Sequence, residues 1–501
     1  MRKIFIVSIL ILSLILSTVA AFADVDDEPT FLPGQGNIPI QATAAIVIET
    51  TTGRVLFGHN EHERRYPASM SKMITALVVL DYFLPDEVII IGPEINNMPT
   101  NYTTSIHVEG ESMTVRMLLK ALMIRSGNET GRVLALNVIR RAENNPDISY
   151  EEAKPLFSAL LNERAIELGA ANTNFDNPYG LHSVEHFTTA YDLALIARAY
   201  MEVPLLAEIA GMHSFEGDGL EGRYIPDAII SEYSWINSNQ TLPEASFGHP
   251  YMTGIKTGFT TPAGECLAGA AYFNGLSLIS IVFDSESPGR WIDTRRLMDY
   301  GFTNFAFREI VSEGEFVENV RIINPRRGEW DILSVHAYDS FTTLLSHYEY
   351  ANLTRVITYN LLLTPPVRMY ADDYENEYEY EHDYEDEYYD DGLTRLQAPI
   401  EAGQDMGRLA FYLDEELVFE TRLIAASTVL ERSFDSDMDY MISNIMGNVF
   451  SLRGLPYWLA IGGTLIGFIG MGWALSLRRK LKEHDRWHKP RPRRAGNKNS
   501  Y

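Results

Sequence analysis

Ser69 and Lys72 are the side chains of this sequence best placed for nucleophilic chemistry. They stand in Tyr66-Pro67-Ala68-Ser69-Met70-Ser71-Lys72-Met73-Ile74-Thr75, at the head of an apolar run continuing through Leu77, Val78 and Leu80. Their separation is nearly one helical turn, so hydroxyl and amine share a face and come within reach. An unassisted serine is a poor nucleophile, but a neighbouring amine kept neutral can take its proton. Burial lowers a lysine pKa, and a helix N-terminus pushes the same way while favouring an alkoxide. Taken alone, the spacing equally describes a helix cap followed by a surface lysine. Two further stretches, Ser126-Gly127-Asn128 and Lys256-Thr257-Gly258, follow in order and change that balance.

The elements that must position these residues are legible in outline. Ala44 to Thr51 reads as a strand, Thr52-Gly53 as a turn and Val55 to Gly58 as the hairpin partner. The helix opened by Ser69 ends near Phe83-Leu84-Pro85-Asp86, and a second runs from Val115 to Met123 with Thr114 as its N-cap. Residues 130–171 read as helical, Asn177 to His182 as a turn-rich break, and Thr188 to Met201 as helix again. Two strands, Cys266 to Phe273 and Leu276 to Phe283, are joined by Asn274-Gly275, a hairpin signal, and Arg290 to Phe302 closes the block as a helix. Strands, a helical block, then strands predict an α+β unit: an antiparallel sheet with helices and an inserted helical lobe.

The chain has 501 residues, 46% of them apolar, enough for more than one core. A formal charge of −27 argues against a nucleic-acid partner, and a single cysteine, Cys266, excludes an internal disulfide. Residues 1–23 read as a secretory signal peptide, from Arg2-Lys3 through an apolar core to Ala21-Phe22-Ala23, and 24–40 as a lead-in linker. The main domain is expected over 41–305. Short strand-like pieces over 306–430 predict a small domain like a β-sandwich, interrupted at 371–392 by an acidic, tyrosine-rich insert whose composition predicts disorder. A linker at 431–454 leads to Leu455–Leu477, an uncharged stretch of about 35 Å as a helix, enough to span a bilayer. The basic tail 478–501 would then be cytoplasmic and everything before the span outside. His182 and His186 stand at i, i+4, but no H-E-x-x-H pattern or third ligand accompanies them, so no metal is expected.

The ordered set S-x-x-K, S-x-N and K-T-G resembles that of β-lactamases and penicillin-binding proteins. Longer stretches are similar to the D-alanyl-D-alanine carboxypeptidase branch. They are Lys256-Thr257-Gly258-Phe259-Thr260 with Ala263-Gly264-x-Cys266-Leu267, Asn177-Pro178-x-Gly180-Leu181-His182, Asp299-Tyr300-Gly301-Phe302 and Pro399-Ile400-x-x-Gly403. The resemblance covers about residues 40–430 and implies a β-lactamase/transpeptidase-like catalytic domain followed by the β domain of that branch.

It also implies roles. Ser69 is the nucleophile and Lys72 its base, Ser126 relays the proton to the departing D-alanine, and Asn128 holds Lys72 and the substrate amide. The N–H groups of Ser69 and Phe259 form the oxyanion hole. Gly258 lets the substrate lie against its strand, Lys256 and Thr257 suit the terminal carboxylate, and Arg290 stands where a carboxylate-binding arginine is found. His182 is expected to fix a turn. Glu129-Thr130 departs from the aspartate and alanine frequent after S-G-N, and Phe259 is bulkier than residues often found there. The implied activity is removal of the terminal D-alanine from peptidoglycan pentapeptides without a cofactor, with β-lactams as covalent inhibitors. Two alternatives stay open. A β-lactamase would need a deacylating glutamate on an E-x-x-L-N loop, but Val133 and Ser158 occupy that place before Leu136-Asn137 and Leu161-Asn162. A non-catalytic penicillin sensor would keep the motifs without turnover.

Overall fold

The structure, a computed structural model, describes residues 38–96, 98, 102–360, 395–450 and 455–487. The expected signal peptide and acidic insert lie outside these residues, as does the linker up to residue 37. Two compact units form, one of residues up to Glu309 with Thr342–Leu353, the other of Ile310–Phe341 with the chain from Thr354 onward.

The first unit is built on a five-stranded antiparallel sheet. Its strands are β1 (Ala44–Glu49), β2 (Val55–His59), β3 (Met252–Thr260), β4 (Gly264–Phe273) and β5 (Leu276–Ser285), in the order β2-β1-β5-β4-β3. Asn274 and Gly275 both take positive φ, 48° and 82°, the turn geometry that matches the strand twist. Every residue of β1 is buried, because helices cover both faces of the sheet. Alternation sends Ile46, Ile48, Ile279 and Ile281 into a core with the helical lobe, and Ala45, Val47, Leu278 and Val282 into another with Leu297 and Met298.

The lobe comprises α1 (Lys72–Tyr82), α2 (Val115–Met123), α3 (Asn128–Ala142), α4 (Tyr150–Glu167), α5 (Ala190–Glu202) and α6 (Pro204–Gly211); α7 (Gly289–Asn304) follows the sheet. Thr114 caps α2 as expected, its hydroxyl accepting from the Met117 N–H at 3.0 Å. Helix α1 is buried continuously from Lys72 to Val79, which places it at the centre of the lobe. Residues 130–171 prove to be two helices, divided where Asn144 turns to φ 47°. A small hairpin, Ser214–Asp218 with Glu232–Ile236, escaped the sequence reading.

In the second unit the strands Phe316–Ile323, Ile332–Ala337, Thr354–Tyr359, Arg395–Gln397, Asp405–Leu413 and Glu416–Ala425 form one six-stranded sheet. The sheet gathers Val320, Leu333, Val335, Leu409, Phe411 and Leu423 into one core, joined by Val311 and Phe341 from a separate two-stranded sheet. Ile332–Ala337 and Arg395–Gln397 supply pairing that the sequence reading lacked. Helices Phe434–Phe450 and Leu455–Trp487 follow. The expected spanning helix is a correction: among the described residues no helix is long and apolar enough to cross a membrane.

One buried carboxylate ties α7 to the sheet entry. Asp293 Oδ2 accepts the N–H groups of Gln41 at 3.0 Å and Ala42 at 2.9 Å, and the Ser285 hydroxyl at 2.6 Å. Asp293→Ala would leave these donors unpaired. A loss of about 3 kcal/mol is expected, read as a lower urea midpoint for the first unit, whereas an unchanged midpoint would show the tie to be dispensable.

Candidate active site

The chain reaches Ser69 through a tight approach. Ala68, at φ 47°, opens a 3₁₀ turn over Ala68–Ser71 that runs directly into α1, leaving Ser69 half-buried and Lys72 fully buried. Lys72 Nζ lies 3.0 Å from Ser69 Oγ, 2.7 Å from Asn128 Oδ1 and 2.7 Å from the Tyr179 carbonyl oxygen. Burial pushes the Lys72 pKa well below the usual lysine value, and the charge of Lys256 pushes it the same way against a smaller opposing pull from Glu129. A neutral amine has two N–H donors and one lone pair. The two carbonyl oxygens can take both donors, which turns the lone pair toward the Ser69 hydroxyl.

Asn128 is delivered by a loop that the local sequence makes very tight. Ser126 sits at φ 65°, and a Cβ on Gly127 would fall 2.1 Å from Ser105 Oγ and 2.5 Å from Thr130 Oγ1. Glu129 and Thr130, the departures from the family pattern, grip the segment packed over this loop. Glu129 Oε1 accepts the Thr104 hydroxyl at 2.6 Å, the Ile106 N–H at 3.1 Å and the Ser105 N–H, while Thr130 Oγ1 bonds His107 Nε2 at 2.8 Å. Ser126 is buried beside these groups, and no hydrogen bond joins its hydroxyl to either lysine.

Strand β3 forms the other wall and is an edge of the sheet, so one side of it is open for an added strand. Lys256 is buried, with Nζ 3.0 Å from the Thr257 carbonyl and 3.4 Å from Thr257 Oγ1. Burial first, and then the Arg290 charge, lower its pKa to about 7. The sequence reading assigned Gly258 to substrate approach; the structure adds a second reason for glycine. A Cβ there would lie 3.0 Å from the Pro67 carbonyl and 3.3 Å from Ala68 Cβ, so glycine also lets β3 close on the nucleophile turn. Phe259 is 60% exposed. Arg290 is held beside the strand, donating to the Gly258 carbonyl at 3.3 Å, pairing with Glu265 at 2.7 Å and lying over the Trp291 ring. Cys266 is fully buried in β4, and burial pushes its thiol up to about 12, out of the reactive range.

The turn Asn177–Leu181 does more than its sequence announced. Asn177 Oδ1 accepts the N–H groups of Tyr179, Gly180 and Leu181 at 3.3, 2.8 and 2.9 Å, presenting the Tyr179 carbonyl to Lys72. Gly180 takes φ 86°, and a Cβ there would fall 1.9 Å from the Ala68 carbonyl oxygen. The turn-fixing expected of His182 falls to Asn177 and His186. The His182 ring stands edge-on to Tyr66 at 4.5 Å, whereas His186 bonds Ser71 Oγ at 2.7 Å and Asp176 at 3.2 Å. Tyr179 itself was missed because it works through its carbonyl, which every residue has.

The sequence matches the family profile described as D-alanyl-D-alanine carboxypeptidase over residues 33–287. It is 24% identical over 443 residues to D-alanyl-D-alanine carboxypeptidase DacF of Bacillus subtilis, covering 86% of this chain and 95% of the relative. It is 29% identical over 293 residues to D-alanyl-D-alanine carboxypeptidase DacD of Salmonella typhimurium, covering 56% and 68%. Among solved structures, penicillin binding protein 5 from Haemophilus influenzae aligns with a TM-score of 0.51 at 21% identity, covering 79% of this chain and 100% of that one. The D-alanyl-D-alanine carboxypeptidase DacD from Francisella tularensis aligns with a TM-score of 0.52 at 21% identity, covering 80% and 96%. At these identities the structures support the fold.

The two buried lysines set a pH dependence. Lys72 takes a proton only when neutral, so acylation of Ser69 should rise as pH climbs through its lowered pKa. Lys256→Gln removes a charge that lowers that pKa and should move the rising limb to higher pH. The rate of labelling by a fluorescent penicillin, followed against pH, reads the limb's position independently of its height. A limb that stays put or moves down would break the coupling.

Proposed function

The chain belongs to the D-alanyl-D-alanine carboxypeptidase family, and from that premise we propose how its own residues carry the reaction. The protein is a serine-type D-Ala-D-Ala carboxypeptidase, a hydrolase that removes the terminal D-alanine of peptidoglycan stem peptides and so limits cross-linking. Ser69 Oγ attacks the carbonyl of the penultimate D-alanine while its proton passes to Lys72. The oxyanion is held by the N–H groups of Ser69 and Phe259. As the tetrahedral intermediate collapses, the C–N bond breaks and the proton reaches the leaving amine by way of Ser126. Water then attacks the acyl-enzyme ester, gives up a proton to Lys72 and releases Ser69. A β-lactam enters the same first step, but its opened ring stays attached, so the leaving amine cannot diffuse away.

The observation that carries this reading is the 3.0 Å approach of Lys72 Nζ to Ser69 Oγ, with two carbonyl oxygens occupying the remaining reach of the amine. The β-lactamase alternative gains nothing, since Val133 and Ser158 lie buried within α3 and α4 and neither is a carboxylate. The test uses the protein without residues 1–23 and 455–501 and a diacetyl-Lys-D-Ala-D-Ala peptide. D-alanine release by the parent should fall at least about a thousandfold in Ser69→Ala. A stable penicillin adduct without release would favour a sensor instead.

Cell-wall association accords with this family membership. We further propose that residues 1–23 direct export and that 455–477 hold the protein at the membrane. The support is the uncharged sequence of that stretch, its exposed Leu465, Ile466, Phe468, Ile469 and Trp473, and the Arg478-Arg479-Lys480 that follows. Full-length protein should stay with membranes after carbonate extraction and lose that association when truncated before Leu455; retention of the truncated form would rule out this anchor.

A further inference from the structure

Beside β3, outside the three motifs, lies Asn237-Ser238-Asn239-Gln240-Thr241. Its conformation is set by two successive side-chain turns. Asn237 Oδ1 accepts the Asn239 N–H at 2.9 Å, and Asn239 Oδ1 accepts the N–H and hydroxyl of Thr241 at 3.0 and 2.7 Å. Asn237 Nδ2 ties the start of the turn to the Met212 carbonyl at 2.9 Å. Asn237, Asn239 and Thr241 are buried, and Ser238 alone among them faces outward. Its hydroxyl lies 2.7 Å from Thr257 Oγ1. The ladder therefore places a second hydroxyl on the one that the K-T-G motif supplies.

We propose that Ser238 and Thr257 together seat the C-terminal carboxylate of the substrate, which makes Ser238 a specificity residue of this site. The inference rests on the carboxypeptidase reading above and adds to it the group that distinguishes a peptide acid from its neutral analogues. A carboxylate is acceptor-only and offers two oxygens, so adjacent hydroxyls can each donate to one of them by giving up their mutual bond. Lys256 Nζ, 3.4 Å from Thr257 Oγ1, and Arg290, bonded to the Gly258 carbonyl, place positive charge beside the pair. Among the described residues no carboxylate is hydrogen-bonded to either hydroxyl, so a substrate anion would meet donors without displacing one of these. Arg290 is already committed to Glu265 and the strand, so the Ser238 hydroxyl, exposed beside the buried Thr257, is what remains free to follow the ligand's geometry.

Ser238→Ala leaves both asparagine turns intact, because these use the side chains of Asn237 and Asn239 and the backbone and hydroxyl of Thr241. With diacetyl-Lys-D-Ala-D-Ala its kcat/KM should fall about tenfold, the usual worth of a hydrogen bond to a charged group. With the same peptide ending in a carboxamide the parent and Ser238→Ala should be equal, and Ser238→Thr should retain most of the activity on the acid. Equal losses on acid and amide, or no loss on the acid, would overturn the seat. The rate of acylation by benzylpenicillin against that by its methyl ester, read by mass spectrometry, decides the seat separately. It does so even if the parent releases no D-alanine, in which case the carboxypeptidase reading fails by itself. There too, Ser238→Ala should slow the acid alone, and a loss shared with the ester would overturn the proposal.

Discussion

The site depends on one lysine taken out of water. Lys72 joins three separately built segments: the nucleophile turn through Ser69, helix α3 through Asn128, and the Asn177–Leu181 turn through the Tyr179 carbonyl. Charging it costs desolvation and repulsion from Lys256, which favours the neutral amine that the proposed role as base needs. The same displacement bears on stability. An unfolded lysine holds its proton up to the ordinary lysine range, whereas the folded Lys256 loses it at about 7. Between those values the unfolded state binds more protons, so these lysines weaken the fold progressively as pH falls from about 10.5 through that window. Below the folded pKa the cost is complete. The continuous burial of α1 is the opposing term, and it lets the central helix of the lobe carry a buried lysine that a surface helix would not.

Close approach of backbones does the rest. The nucleophile turn is pinched between Gly180 on one side and Gly258 on the other, and each would carry a Cβ against Pro67 or Ala68. Ala68 itself occupies the left-handed region where side chains are disfavoured, as does Ser126 across the cleft. Such conformations persist only where surrounding packing holds them, and here both lie next to residues assigned to the chemistry. The turn that carries Ser69 is thereby held between the main chains of two neighbouring segments.

The sequence showed the reactive groups more readily than their scaffolding. Ser69, Lys72, Asn128 and Lys256 carry distinctive side chains in a spaced order, and the Thr114 cap and Asn274-Gly275 turn have strong local rules. What stayed hidden acts through groups without a signature or across long separations. The Tyr179 carbonyl, the Asn177 turn and the His186–Ser71 bond are of this kind. Short strands were missed although Ile332–Ala337 and Glu232–Ile236 do alternate, because five or six residues carry too few repeats to stand out without their partners. The strand order of the six-stranded sheet was not legible either, because alternation along a strand reports one buried face and says nothing of which strands lie side by side.

The departures after Asn128 are where local sequence and site geometry speak to each other most directly. A glutamate in place of aspartate has the reach to gather the donors of Thr104, Ser105 and Ile106, and a threonine in place of alanine supplies the oxygen that His107 bonds. His107 is buried against Tyr233, whose hydroxyl is held in turn by Glu111, so the bond runs on into the small hairpin. That hairpin leads within two residues to Ser238. The segment over the Ser126 loop is thus joined through buried polar groups to the strand that leads to Ser238. A change at Thr130 that looks like a local enlargement is better understood as one end of a brace that reaches Tyr233 and Glu111.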